Sequence, residues 1–364
     1  MEMKILKLVF TIGLLALVTS CSKSKDEVIA PTLPPVTKPD PVKTADVYVA
    51  GWKYNSKLAP VAAFWKNGVQ TELTDGTTNL ARANSIYVSG TDDVYVAGKD
   101  GLKSVLWKNG TATVLSNELY SGAYSVFVSG TDVYVAGFDH GFAVVWKNGV
   151  AIKLANGPNF SRAYSVYVSG SDVYAAGYEF LEGNKTVATL WKNGVATRLS
   201  DGTKHAVAKA VFVSGTDVYV SSEENVNPQD GNLPGSEGIG STSLSKSVIK
   251  IWKNGIPDNL TDGTKQAIGN SLFVNGNDVY VAGYENDGIT CIASVWKNKI
   301  VTNAGSGLYQ KTGIINANSV FVHKDDLYVV VNEGFTAKTW KNMFTANEIN
   351  KEGGGATALS VFVK

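Results

Sequence analysis

Seven copies of one short pattern run through this 364-residue chain, and they limit its fold more than any other feature. "DVYVAG" or a close variant begins at Asp46, Asp93, Asp132, Asp172, Asp217, Asp278 and Asp326. "WKN" begins at Trp65, Trp107, Trp146, Trp191, Trp252, Trp296 and Trp340. A "SVFV" type begins at Ser85, Ser125, Ser165, Ala210, Ser271, Ser319 and Ser360. Most copies are 39 to 48 residues apart. Such a period marks repeated supersecondary units that bury their apolar faces only against one another.

Each unit reads as four short strands. "SVFV" and "DVYVA" are β-branched and aromatic and are joined by "SGT", "SGS" or "NGN", which is hairpin chemistry. The Asn-Gly of "WKNG" favours the type I′ turn that keeps a second pair of strands in register. The strands are almost continuously apolar, so both faces of each sheet are covered. Four-stranded sheets at this period, covered on both sides, describe the blades of an all-β, seven-bladed β-propeller spanning residues 45–364. Strand A is "SVFV", nearest the axis; B is "DVYVA"; C ends in the Trp of "WKN"; D is outermost. The tyrosines and tryptophans that recur in every blade are expected to pack blade on blade.

The repeat is cut. The first copy opens at Asp46 with strand B, and the missing strand A, "SVFVK", ends the chain at Ser360–Lys364. Pairing the last strand with the first blade would close the ring and remove two exposed sheet edges.

Over about 46–364 the pattern resembles the tandem-repeat propellers of secreted bacterial proteins. That resemblance implies a fold and no particular activity. The Gly-His…Trp-Asp signature of WD40 repeats, a Gly-Gly pair in every blade as in kelch repeats and the Ser-x-Asp-x-Gly-x-x-Trp box of sialidases are absent.

Residues 1–20 read as a secretory signal, with Lys4 and Lys7 before the apolar run Leu8–Val18. The run ends in Val18-Thr19-Ser20-Cys21, which resembles the lipobox of bacterial lipoproteins and implies a lipid, palmitate included, on Cys21. Lys25-Asp26-Glu27 resembles the export signal of surface-displayed lipoproteins in Bacteroidota. Residues 21–44 then form a tether holding Pro31, Pro34, Pro35, Pro39 and Pro41, a composition that favours extended spacers. The expected location is the outer membrane, lipid-anchored and facing the exterior, with the periplasmic face as the alternative.

Composition narrows the partners. A formal charge of +1, with only Arg82, Arg162 and Arg198 as arginines, lacks the basic stripe of a nucleic-acid reader. Cys291 is the sole cysteine besides Cys21, so no internal disulfide is expected, and a buried thiol is the reading. His140, His205 and His323 fall in different blades, and no metal-ligand spacing or nucleophile elbow occurs. No metal, cofactor or catalytic residue is assigned, and a monomer is expected.

If recurring positions build the scaffold, function belongs where the copies differ, on the rim formed by the B–C and D–A connections. The residue after "DVYVAG" is Trp52, Lys99, Phe138, Tyr178, Glu223, Tyr284 or Asn332, with His140 nearby in the third blade. The residue before each "SVFV" is Asn84, Tyr124, Tyr164, Lys209, Asn270, Asn318 or Leu359, and that position is expected to ring the channel mouth. Aromatic faces beside amides suit a sugar or a peptide. The candidate ligand-binding residues are therefore Trp52, Phe138, His140, Tyr178, Tyr284, Tyr124, Tyr164, Asn84, Asn270 and Asn318. The leading expectation is a non-catalytic surface module binding a glycan or protein. The alternatives are a carbohydrate-active enzyme using Asp139, Glu179 or Glu285, and a structural envelope component. A Gly/Ser/Pro-rich insertion between Ser222 and Ser247 reads as a disordered loop.

Overall fold

The computed structural model describes residues 44–155, 159–183, 185–228, 245–303, 315–349 and 355–364. The signal, Cys21, the tether up to residue 43 and residues 229–244 of the insertion lie outside the described residues. Glu223–Asn225, at the start of that insertion, belong to a regular strand, Asp217–Asn225.

Residues Ala45–Lys364 form one compact unit of seven four-stranded antiparallel sheets. In blade 1 the order is Ala356–Val363, Val47–Tyr54, Pro60–Lys66, Val69–Glu72, so the last strand of the chain supplies strand A. The register pairs Val47 with Val363, Tyr48 with Phe362 and Val49 with Val361. Backbone bonds from Asp46 N to Lys364 O (2.8 Å) and back from Lys364 N to Asp46 O (3.0 Å) complete the closure.

The invariant residues of the repeat each have a mechanical role. The Asn of every "WKN" sits in the left-handed region, with φ between 47° and 52°, and in five blades the next residue is a glycine with φ near 80°. Asn tolerates that region and Gly adopts it without strain, which gives the I′ turn. The same Asn ties strand C to strand B. In blade 3, Asn148 Oδ1 accepts from Val133 N (2.8 Å) and Asn148 Nδ2 donates to Asp132 Oδ1 (2.8 Å). Lys147 completes the link, 2.7 Å from Asp132 Oδ2 and over the Tyr134 ring. Equivalent Asp–Lys–Asn–Tyr links occur in all seven blades, from Asp46 with Lys66 to Asp326 with Lys341.

The core lies between blades. The Tyr of one blade shares a buried cluster with the Trp of the next: Tyr48 with Trp107, Tyr95 with Trp146, Tyr134 with Trp191 and so on around the ring. Tyr328 of blade 7 meets Trp65, Val361 and Val363 of blade 1, so the last interface is built like the others.

Two further rings surround the axis. The aromatic third residue of each "SVFV" touches its neighbours in turn: Tyr87, Phe127, Tyr167, Phe212, Phe273, Phe321 and Phe362, with centroids 4.7–5.1 Å apart and Phe362 returning to Tyr87. Beside it, the Ser that begins each strand A motif accepts from a backbone N–H of the following blade. Ser85 takes Val126 N, Ser125 takes Val166 N, Ser165 takes Val211 N, Ser271 takes Val320 N, Ser319 takes Val361 N and Ser360 takes Ile86 N. Blade 5 has Ala210 at this position and breaks the series.

Candidate functional site

The position expected to ring the channel mouth is a β-bulge in every blade. The A–B register slips between Ala83 and Ser85, Ala123 and Ser125, Ala163 and Ser165, Ala208 and Ala210, Gly269 and Ser271, Ala317 and Ser319, and Ala358 and Ser360. The extra residue is thus Asn84, Tyr124, Tyr164, Lys209, Asn270, Asn318 or Leu359, and a bulge re-aims that side chain out of the strand's alternation. In five blades the glycine of "VAG" is tightly enclosed beside the bulge, and a Cβ on Gly137 would collide with Gly122 O and the Trp146 ring; blades 5 and 7 carry Ser222 and Val331 there and bulge as well.

Neighbouring bulge residues meet around the mouth. Tyr124 and Tyr164 are 5.1 Å apart between centroids, and the Lys209 ammonium lies 5.1 Å from the Tyr164 ring centre. The asparagines clamp one blade to the next. Asn84 Nδ2 donates to Ala123 O (2.8 Å), Asn318 Nδ2 to Ala358 O (2.7 Å), and Asn270 Nδ2 to Asn316 Oδ1 (2.7 Å) and Ala317 O (3.0 Å). Their amides have structural work, and their half-buried side chains still reach the surface.

The residues after "DVYVAG" divide by depth. Phe138, Tyr178 and Tyr284 are 7%, 2% and 4% exposed, so they lie beneath the rim surface. Phe138 stacks under Tyr124 (5.8 Å), and Tyr178 packs against Tyr164 (6.0 Å) and edge-on to Phe180 (5.5 Å). Trp52 is half-buried and edge-on to Tyr54, 4.9 Å between centroids. His140 is exposed beside Asp139 (3.3 Å) and Glu118 (3.4 Å). Of the aromatic candidates, Tyr124, Tyr164 and Trp52 are therefore the accessible ones, beside the more exposed loop aromatics Tyr120, Phe160 and Phe335. Burial pushes the Tyr124 hydroxyl up to about 12, so it is a neutral hydrogen-bonding group at any physiological pH.

Glu223 takes the same position in blade 5 and is fully buried. It accepts from Gly269 N (3.1 Å) and lies 3.9 Å from the Lys209 ammonium. Burial outweighs both partners and raises its carboxyl to about 7. Sequence reasoning placed Glu223 on the rim but gave no sign of its depth.

The carboxylates considered for catalysis each face a partner of their own. Asp139 accepts from Ser116 Oγ (2.6 Å), Glu179 faces Arg198 (3.7 Å) and Glu285 faces Lys265 (3.9 Å). Among the described residues no group of three or more His, Cys, Asp and Glu side chains could hold a metal. Cys291 is a buried thiol that donates to Ile315 O (3.2 Å), and burial raises it to about 11.

Two cavities stand out. One, of about 280 Å³, lies on this rim between blades 1 and 2 and is lined by Trp52, Tyr54, Asn79 and Arg82 among others. The larger, about 720 Å³, lies toward the opposite rim between blades 5 and 6, walled by Ile251, Ile256, Leu260, Val279 and Val281. Its charged groups are already occupied: Asp217, Lys253 and Asn254 form that blade's repeated link, and Lys299 is 2.6 Å from Asp258.

Comparison with known proteins supports the fold. The chain aligns with the β-propeller domain of the Trilobed protease from Pyrococcus furiosus at a TM-score of 0.50 and 9% identity, covering 84% of this chain and 94% of that one. It aligns with a Mycobacterium tuberculosis puromycin-hydrolysing peptidase at a TM-score of 0.52 and 9% identity, covering 84% of this chain and 52% of that one. A 6-phosphogluconolactonase-like protein from Bacteroides fragilis gives a TM-score of 0.47 at 13% identity, over 90% and 100% of the two chains. No family model matches the chain, and no curated protein does. Fold and likeness together define a seven-bladed β-propeller.

Proposed function

We propose that this propeller is a non-catalytic binding module that holds a glycan or protein ligand at the rim formed by its B–C and D–A connections. The observation that carries the reading is the asymmetry of the mouth. Seven equivalent bulges present amides, two adjacent tyrosines, a lysine and a leucine, so one sector of an otherwise regular ring is aromatic and polar. The Tyr124–Tyr164 pair and Trp52 are the groups a ligand would stack on. The N-terminal sequence supports a module that is lipidated on Cys21 and carried by a proline-rich tether at the bacterial outer membrane, facing outward.

The test replaces Trp52, Tyr124 and Tyr164 by Ala, singly and together, and measures binding on glycan and protein arrays. A ligand found for the wild type should be lost or weakened by about tenfold or more. A ligand bound equally by the triple variant would refute this rim as the site. Acyl-chain labelling that persists after Cys21→Ser would refute the anchor.

A further inference from the structure

The mouth carries three cationic side chains with no ion-pair partner among the described residues. Arg82 and Lys99 face each other as cross-strand partners in blade 2. Like charges placed so oppose folding unless a counter-charge intervenes. Arg162, two blades further on, occupies the position equivalent to Arg82, and its guanidinium lies 4.5 Å from the Phe138 ring centre of the blade between them. Blade 3 has Gly122 at that position, where a side chain would run into Phe138 and Tyr124. The two arginines therefore flank an aromatic floor. They also act on each other's surroundings. Lys99 is held below its ordinary pKa, first by burial and then by the charges of Arg82 and Arg162, and both arginines act on Tyr124. Arg82, Lys99 and Arg162 form no ion pair among the described residues, whereas every "WKN" lysine has its aspartate.

Arg82 also lines the 280 Å³ cleft with Trp52, Tyr54 and Asn79. A guanidinium offers a planar fork that matches a carboxylate or sulfate. An indole face and an amide beside it suit a sugar ring and its hydroxyls. An acidic peptide would engage the charges and leave this cleft without a matching ring. We propose that the mouth binds an acidic glycan, with uronate or sulfate groups on Arg82, Lys99 and Arg162 and a sugar ring against Trp52 in the adjoining cleft. This rests on the binding-module reading above and names its ligand class.

Isothermal titration with four probes tests it: an oligogalacturonate, the same oligomer with its carboxylates reduced to alcohols, a sulfated oligosaccharide free of uronate, and an oligoglutamate. At least one acidic sugar should bind, and which one does distinguishes carboxylate from sulfate. Removing the acid groups, or making Arg82→Gln, should weaken binding by about tenfold or more, and Arg82→Lys should recover part of it. Arg82 is exposed and has no ion-pair partner among the described residues, so Arg82→Gln should fold, and its melting temperature should rise as the repulsion with Lys99 is relieved. Equal binding of the neutral oligomer, lost in Trp52→Ala but not in Arg82→Gln, would overturn the acidic class and leave the binding module standing. Tighter binding of oligoglutamate would overturn the sugar. Binding of none of the four would overturn the proposal, and an array ligand sensitive to Trp52 would show that the module reading survives it.

Discussion

Phe362, on the strand that ends the chain, packs against Tyr87 of blade 2 with ring centroids 4.9 Å apart. It touches Phe321 of blade 7 at the same distance, so one residue joins the two halves of the aromatic ring. Phe362→Ala should lower unfolding stability by about 2–4 kcal/mol, since a half-buried ring loses contacts on both sides. Deleting Ala356–Lys364 removes the shared strand and exposes sheet edges in blade 1. That variant is expected to form oligomers by light scattering, where the point variant stays monodisperse. A monodisperse, cooperatively folded deletion variant would contradict the closure.

Glu223 makes stability depend on pH. Its folded-state carboxyl titrates at about 7 against an ordinary value of 4.5, because burial disfavours the anion. Between those values the unfolded chain ionises first, so this group's contribution is full below about 4.5 and is lost as the pH rises through 7. Glu223→Gln removes the ionisation and keeps an acceptor for Gly269 N. Relative to wild type, the variant should gain about 3 kcal/mol between pH 4 and pH 8. Urea unfolding of both proteins across that range checks it; a constant difference would refute the shift.

The serine series has one gap to fill. Ala210 stands where six other blades carry a serine that accepts from the next blade, and its counterpart N–H is that of Leu272. Ala210→Ser should stabilise by about 0.5–1 kcal/mol, and Ser165→Ala should cost about the same or more. Chemical denaturation measures both, and a destabilised Ala210→Ser would mean that the close packing at this site cannot admit a hydroxyl.

Asn148 separates backbone strain from hydrogen bonding. Its φ of 51° is easy for glycine and strained for alanine. Both Asn148→Gly and Asn148→Ala lose the bonds to Val133 and Asp132, so both destabilise. The alanine variant should be the worse by about 1 kcal/mol. Equal losses would mean that the turn relaxes out of the left-handed region.

The scaffold was readable because each of its parts is local and repeated. Asp132, Lys147 and Asn148 lie within one hairpin pair, and their spacing recurs, so the pattern exposes them. The aromatic ring was readable too, through the invariant aromatic at Tyr87, Phe127 and their equivalents, although sequence reasoning passed over it. The mouth is different. Phe138 and Tyr178 look like surface residues in the alignment of repeats, yet the bulge residue of strand A turns over them, and nothing in the composition reports a one-residue register slip. Arg82 and Arg162 fall in separate copies, so a search for basic runs sees two isolated charges. Only closing the circle brings them to one side of the same opening. Glu223 is a single departure from a repeat and carries no period at all.

Asp46 and Lys364 are bonded to each other where strand B of blade 1 begins, on the face of the A–B turns. The tyrosine pair and Arg82 belong to the other face. The ring is therefore fastened on the side away from the bulge residues, like a bracelet clasped at the back.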